Sequence, residues 1–390
     1  MNYILFDGNT RSQFLPFTYT RPVAELRIGI LTIREKWEKW LKTTTSTVTE
    51  DYLSEKWPMV ELEVNIMINA SYLPTASLVA QIENLKEQQA VFHKGEIVAF
   101  YSLEDQEVDF DSYDIQELKG EALHVEHPWD LFSKNEECIQ SDFELLTQGR
   151  SSEPISSTNQ VIAPENIFLE DGAQVECSIL NASSGPIYIG RDAEVMEGCM
   201  IRGGFAMGTG SRLKMGTKIY GPTTLGHYCV AGGEVKNSIM FGYSNKGHEG
   251  FLGNSVIGEW CNLGADTNTS NLKNNYAEVR LWDYETEGFA PTGLQFCGLM
   301  MGDHSKCGIN TMFNTGTVVG VSANIYGAGY PRNFIPSFSW GGSAGFTTYR
   351  TNKAFEVIEK VMERRGYSFS EGEKEIMEHI FEISAKWRKG

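Results

Sequence analysis

Apolar residues recur every six positions through the middle of the chain. This interval matches neither the helical period of 3.6 nor the strand period of 2. A strand and turn of six residues cannot bury its own apolar side chain, so it must stack on copies of itself. The interval therefore predicts a solenoid in which three units form one triangular coil. Its first seven positions are Ile189, Val195, Ile201, Met207, Leu213, Ile219 and Leu225.

The array is interrupted twice. The interval lapses after Leu225, recurs briefly at Ile257 and Leu263, and then resumes in strict register. Residues 231–255 and 268–298 are therefore predicted to leave the coil as loops. Because stacking occupies the apolar positions, we expect the chemistry to lie in these two segments. The resumed positions are Met301, Cys307, Phe313, Val319 and Ile325.

The first 146 residues have a different pattern. Apolar runs at 3–6 and 64–69 alternate with helical patterns around 23–41 and 76–89, and 90–101 is typical of a hairpin. This alternation predicts a small α/β domain over residues 1–146. The polar, Ser-rich segment 147–160 is predicted to be a linker, followed by the coil over 161–335.

Residues 336–390 form the predicted C-terminal tail. Helical patterns lie at about 351–365 and 371–388, and Ser370 with Glu373 forms a capping-box pattern at the start of the second. We expect these helices to close the open edge of the last coil, which would otherwise pair with other chains.

Composition narrows the class of protein. The formal net charge of −18 argues against a nucleic-acid-binding protein, which needs a basic surface. No apolar stretch approaches the roughly 18 residues of a membrane span, and the first residues lack a signal layout. The seven cysteines include no C-x-x-C pair and fit a reducing compartment. We therefore expect a cytoplasmic protein with neither a nucleic-acid nor a membrane partner.

The first interruption contains a basic, glycine-rich loop. Lys236 precedes His248 by 12 residues, and Asn262 and Asn271 follow that histidine by 14 and 23. In residues and spacing this segment resembles the acetyltransferase domain of the bifunctional N-acetylglucosamine-1-phosphate uridylyltransferase/glucosamine-1-phosphate N-acetyltransferase family. The resemblance covers about 100 residues closely and the solenoid more loosely.

The resemblance implies a fold and a reaction. The fold is a left-handed parallel β-helix that assembles as a homotrimer, with active sites between subunits and acetyl-CoA along the coil. His248 takes the place of the general base, and imidazole suits this role because its ordinary pKa is closest to neutrality. The alternative reading of His248 is a histidine in a surface loop.

The same resemblance assigns the substrate contacts. Lys236 and Lys218 match positions that contact the sugar phosphate, although the family has an arginine at the second of these. Asn262 and Asn271 match contacts to the sugar and the acetyl group. Phe251 stands where the family has a substrate-binding tyrosine, so the loss of a hydroxyl leaves a changed acceptor sugar open.

The first domain resembles a truncated sugar nucleotidyltransferase. Asp7, Gly8, Arg11 and Arg21 lie where such enzymes have a phosphate loop after the first strand, which implies UTP and Mg²⁺ as ligands. Residues 69–74 contain no carboxylate at the place of the family's metal-binding aspartate, so the metal ligands are unknown. A simple turn at Asp7 is the alternative. The short first domain is similar to that of a divergent Bacteroidetes-type branch of the family.

The resemblance thus implies an enzyme that acetylates a sugar phosphate of the glucosamine-1-phosphate type, in UDP-N-acetylglucosamine biosynthesis. A UTP-dependent uridylyltransferase activity is the expected second function. The alternatives are a non-catalytic sugar-nucleotide-binding or scaffold protein and a nucleotidyltransferase for a different sugar. A zinc site of the γ-carbonic anhydrase type, using His227, His248 and His304, is disfavoured because the close H-x4-H spacing is absent.

Overall fold

The computed structural model describes residues 1–388. Contacts within the chain divide it into two compact units. The first comprises residues 1–14, 20–26 and 31–127, and the second comprises 15–19, 27–30 and the chain from residue 128 onward. Helices Pro128–Ser133 and Asn135–Thr147 thus have most of their contacts in the second unit. The predicted domain limits at 146, 160 and 335 stay predictions.

The first unit is built on one six-stranded sheet. Its first three strands along the chain are parallel, and the hairpin that follows adds antiparallel pairs. Helices Ile33–Leu41, Asp51–Ser54 and Ala76–Glu83 connect the strands. In spatial order the strands are Ser46–Val48, Asn2–Phe6, Val64–Asn69, Glu96–Leu103, Gln89–His93 and Asp114–Glu117. The predicted α/β class is confirmed.

The second unit is a parallel β-helix with three faces. Face 1 comprises strands Gln160–Ile162, Ile179–Asn181, Met200–Arg202, Lys218–Tyr220, Glu234–Lys236 and Phe251–Gly253. Face 2 comprises Ile167–Leu169, Ile187–Ile189, Phe205–Met207, Thr223–His227, Ile239–Gly242, Val256–Glu259, Leu299–Met301, Thr317–Val319 and Phe334–Ile335. Face 3 comprises Gln174–Val175, Glu194–Val195, Arg212–Leu213, Val230–Ala231, Asn245–Lys246, Asn262–Leu263, Lys306–Cys307, Asn324–Ile325, Ser339–Gly342 and Gly345–Thr348.

The six-residue interval marks the inside of this coil. All seven positions of the first array and all five of the resumed array are buried, with at most 5% exposure. Each strand contributes an inward side chain that stacks on its counterparts in the coils above and below. The predicted fold class, an α/β unit followed by a left-handed parallel β-helix of hexapeptide repeats and C-terminal helices, is confirmed.

The first predicted interruption is wrong. Residues 231–255 stay in the coil, with strands on all three faces. The interval fails because two coils are short: Thr224 pairs with Ile239 and Ile239 with Val256, so these coils have 15 and 17 residues, whereas Phe205 pairs with Thr223 after 18. Shorter turns therefore shifted the phase of the repeat without breaking the stack.

The second predicted interruption is a true excursion. Strand Asn268–Thr269 still pairs in the coil with Met312–Phe313, and the chain leaves after it. The excursion contains an antiparallel hairpin of Arg280–Asp283 and Gly288–Pro291, and it returns at strand Leu299–Met301.

Helices Thr351–Glu363 and Glu371–Ile383 follow the coil, and the predicted capping box of Ser370 with Glu373 is present. Their proposed role in closing the last coil stays a prediction, and the segment between them contacts the middle of the coil. Tyr367 contacts the stacked rings of Tyr243 and Trp260 at the corners of middle coils. Strand Gly345–Thr348, the last of face 3, pairs antiparallel with strand Ser339–Gly342. Among residues 1–388, every helix is too short or too polar to cross a bilayer.

Candidate functional sites

His248 lies on an exposed turn between faces 3 and 1. The turn joins strand Asn245–Lys246 to strand Phe251–Gly253. Within residues 1–388 the imidazole makes no hydrogen bond and no ring contact, so both ring nitrogens can reach a ligand. Glu249, its neighbour in sequence, does not orient the ring and instead lies 3.9 Å from the Lys218 ammonium.

Three of the predicted substrate residues come together on face 1, around Gly253. This glycine pairs in register with Lys236. A Cβ at Gly253 would lie 2.5 Å from the Phe251 ring and 2.8 Å from the Asn271 amide nitrogen, so only glycine leaves room for both. Asn271 also donates to Asn254 Oδ1 at 2.8 Å. The tertiary fold thereby assembles Lys236, Phe251 and Asn271 directly after the His248 turn.

The Lys236 ammonium lies between aromatic rings. Its Nζ is 5.7 Å from the centre of the Tyr220 ring and 5.5 Å from that of Phe296. Within residues 1–388 Lys236 has no carboxylate partner, so its charge is available to an anionic group. Phe296 comes from the second excursion and was missed in the sequence because nothing in its spacing relates it to Lys236.

Asn262 lies apart from this group, on face 3. It is exposed, and its Oδ1 accepts a hydrogen bond from Asn245 Nδ2 at 3.3 Å. Asn245 in turn accepts from the Arg365 guanidinium at 2.8 Å, and Arg365 also donates to the Tyr228 carbonyl. The turn after the first C-terminal helix is therefore linked to Asn262 through Asn245, a link that no sequence pattern indicated.

In the first unit, Asp7 is the centre of a polar network. Its carboxylate accepts from the Val23 N–H at 2.6 Å, from Arg11 Nε at 3.1 Å and from the Thr49 hydroxyl. Burial raises the pKa of Asp7 and outweighs these partners, each of which favours the charged form. Arg11 also donates to the Tyr52 hydroxyl at 3.0 Å. The predicted residue Arg21 is buried.

A cavity of about 510 Å³ opens beside this network. Its lining contains Gly8 and Arg11, together with the carboxylates of Asp7, Glu50 and Asp51. It lies at the carboxyl ends of parallel strands, where open α/β sheets bind ligands. Asp7, Gly8 and Arg11 are thus brought together as predicted, whereas Arg21 does not line the cavity.

The residues present do not fit the magnesium site of a nucleotidyltransferase. Asn69 occupies the end of the third strand, and its Oδ1 accepts from Ser71 while its Nδ2 donates to Ile97. The Asp7 carboxylate is already bound on both oxygens. Residues 1–388 contain no cluster of three acidic, histidine or cysteine side chains suited to a metal ion.

Comparisons with known proteins show similarity to a nucleotidyltransferase family and to bifunctional transferases. Residues 3–151 match the sugar nucleotidyl transferase family. The chain is 25% identical over 209 residues to the bifunctional protein GlmU of Methanococcus maripaludis, covering 54% of this chain and 44% of that protein. It is 26% identical over 217 residues to the bifunctional sugar-1-phosphate nucleotidylyltransferase/acetyltransferase of Sulfurisphaera tokodaii, covering 54% and 46%.

The chain spans about half the length of these curated relatives. A solved Arabidopsis UDP-N-acetylglucosamine acyltransferase matches with a TM-score of 0.26 and 14% identity, over 60% of this chain and 82% of that one. This likeness is too distant to bear on function. The predicted relation to the GlmU-like transferases is confirmed.

Proposed function

We propose that this GlmU-like chain transfers an acetyl group from acetyl-CoA to the amino group of a hexosamine phosphate. The observation that carries the proposal is the assembly of Lys236, Phe251 and Asn271 around Gly253, directly after the turn that bears His248. One exposed imidazole, one cation without an acidic partner and one amide are the groups that this transfer needs.

In the proposed reaction His248 accepts a proton from the acceptor ammonium. The freed amine attacks the thioester carbonyl, so that a C–N bond forms and the C–S bond breaks. Coenzyme A leaves as a thiolate and takes up the proton from the imidazolium, and the attacking nitrogen loses its second proton to solvent, which leaves a neutral amide. General base catalysis of this kind contributes about 10² to 10⁴ in rate.

The two lysines of face 1 have different surroundings. Lys236 faces rings, which attract its ammonium without neutralising it, so this cation is the proposed phosphate contact. Lys218 shares its charge with Glu249. With Phe251 and Phe296 beside Lys236, the acceptor subsite is less polar than one lined by tyrosines. The assay below therefore includes acceptor sugars other than glucosamine-1-phosphate.

We further propose a homotrimer in which acetyl-CoA lies along the coil. Ile162, Ile179 and Met200 support it, because these side chains are 38 to 51% exposed on face 1, the face that also carries Lys218. Apolar side chains grouped on one exposed face are typical of an interface. The mass in solution, measured by light scattering, tests this assembly, and a monomer would contradict it.

The test of the transfer is thiol release from acetyl-CoA in the presence of glucosamine-1-phosphate, galactosamine-1-phosphate or a nucleotide-linked amino sugar. We expect His248→Ala to lower the rate with the best acceptor by at least about 100-fold. His93→Ala, a histidine variant in the first unit, is the matched control and should keep the wild-type rate. Equal rates for His248→Ala and wild type would remove His248 from the mechanism.

A second candidate function is UTP-dependent uridylyl transfer by the first unit. The cavity beside Gly8 and Arg11 and the family match over residues 3–151 support it. The acidic lining by Asp7, Glu50 and Asp51 disfavours a bare triphosphate, because like charges repel. Pyrophosphate release from UTP and a sugar-1-phosphate tests this activity. No pyrophosphate from a chain with intact acetyl transfer would favour the alternative, a non-catalytic nucleotide-binding unit.

A further inference from the structure

A lysine occupies an inward position of the β-helix. Lys246 pairs in register with Ala231, and its side chain is only 2% exposed. Lys246 follows the buried Met240 by six positions, which is the interval between inward residues elsewhere in the coil. The other inward residues of face 3 are apolar or small: Val175, Val195, Leu213, Ala231, Leu263, Cys307 and Ile325.

A buried ammonium is costly unless its protons have acceptors. Lys246 Nζ donates to the carbonyl of His248 at 2.7 Å and to that of Gly232 at 3.0 Å. These two carbonyls belong to turns of successive coils, one directly above the other. The ammonium therefore links the turn that carries His248 to the turn beneath it.

The two turns are also in close backbone contact. A Cβ at Gly232 would lie 2.7 Å from the Gly247 carbonyl and 3.1 Å from the His248 nitrogen. On the other side, the Asp266 N–H donates to the Glu249 carbonyl at 3.1 Å. The turn 247–250 is thus held between two neighbouring coils, and Lys246 is the side chain that anchors it from inside.

Several charged or titratable groups face this ammonium. Burial lowers the pKa of Lys246 to about 8, and Lys218 adds to this effect, whereas Glu249, Asp266 and Cys307 oppose it. The side chain is therefore charged at neutral pH and loses its proton at moderately alkaline pH. After this loss the neutral amine donates weaker hydrogen bonds to the two carbonyls than the ammonium does.

We propose that Lys246 is a positioning residue for the transfer reaction, because it fixes the backbone of the His248 turn through two carbonyls. This inference rests on the proposed function of His248. Lys246 does not touch substrate, and its effect on the reaction passes through the turn. Leucine, which occupies the same row at positions 213 and 263, would fill the space and remove both hydrogen bonds.

A second lysine, half-buried on the same face, provides a control. Lys306 Nζ donates to the carbonyl of His304 at 2.8 Å, and burial lowers its pKa to about 8 as well. It lies on the same face but anchors a different turn. Lys306→Leu therefore removes a half-buried lysine whose pKa is lowered in the same way, without releasing residues 247–250.

The experiment compares Lys246→Leu, Lys306→Leu and wild type in steady-state kinetics. We expect Lys246→Leu to lower kcat about 10- to 100-fold, with the KM for acetyl-CoA within twofold of wild type. Lys306→Leu should keep kcat within threefold. Lys246→Leu with wild-type kcat would overturn the proposal, as would equal losses in both variants.

Two readouts keep the proposal testable if a variant folds poorly or if the enzyme has another acceptor. In wild type, kcat should fall on the alkaline side with a midpoint near pH 8, which matches the lowered pKa of Lys246. A flat alkaline limb would contradict the proposal. Amide hydrogen exchange at residues 247–250 should be at least tenfold faster in Lys246→Leu than in Lys306→Leu. Loss of acetyl transfer in wild type would refute the proposed function, while the exchange rates would still decide whether Lys246 anchors the turn.

Discussion

The buried ammonium of Lys246 makes stability depend on pH in a calculable way. Its pKa is about 8 in the folded chain against an ordinary 10.5. Between these values the unfolded chain binds more protons than the folded chain, so stability attributable to this residue rises with pH. Each pKa unit corresponds to about 1.4 kcal/mol, so the full change is about 3 kcal/mol.

The perturbation is Lys246→Leu, measured by urea unfolding with circular dichroism at pH 7, 8, 9 and 10. Wild type is expected to gain stability relative to the variant across this range, with most of the roughly 3 kcal/mol present by pH 10. Buried thiols such as Cys261 and Cys297, whose pKa is raised by burial, act in the opposite direction. They are common to both proteins and cancel in the difference.

Lys306→Leu should give a similar stability difference, because burial lowers the pKa of Lys306 to the same value. The two substitutions would then change the free energy of unfolding alike but change kcat differently. This result would separate the effect of burying a charge from the effect of positioning the His248 turn. Refolding from urea checks that the transitions are reversible. A difference between wild type and Lys246→Leu that stays constant from pH 7 to pH 10 would refute the reasoning.

Three further predictions concern single contacts. Gly232→Ala should lower the free energy of unfolding in urea by about 1–3 kcal/mol, because the added Cβ would lie 2.7 Å from backbone atoms. Gly247→Ala should lower it by less than about 1 kcal/mol, because the nearest neighbour of that Cβ is a side chain at 3.4 Å. Phe296→Ala should change the KM of the sugar acceptor by up to about fivefold, through loss of a cation–π contact, and leave that of acetyl-CoA unchanged. Asp7→Ala should destabilise the first unit by about 1–3 kcal/mol, because a buried backbone N–H loses its acceptor, and Asp7→Asn should recover part of that loss. Equal losses in Gly232→Ala and Gly247→Ala, or in Asp7→Ala and Asp7→Asn, would contradict the first and third predictions. An unchanged acceptor KM in Phe296→Ala would contradict the second.

The repeat illustrates how far sequence alone reaches. The six-residue interval identified twelve buried positions, because equivalent positions of successive coils face the same core and therefore need apolar side chains. It failed over residues 231–255, where turns are shorter and the phase shifts. A fixed interval cannot follow a change in turn length, since strand register is set by hydrogen bonds between coils.

The same limit applies to the candidate site. Spacing and family resemblance identified His248, Lys236, Phe251 and Asn271, and the coil brings the last three together. Phe296 lies 60 residues after Lys236, and its ring reaches the ammonium only because the second excursion folds back.

Lys246 separates what the sequence determined from what the tertiary structure determined. The sequence by itself determined that this chain stacks as a β-helix and that a basic, glycine-rich segment lies within it. Only the tertiary structure decided that one lysine of that segment points into the coil and binds two carbonyls. The physical reason is that inward and outward positions depend on the register of neighbouring coils, which distant residues set together.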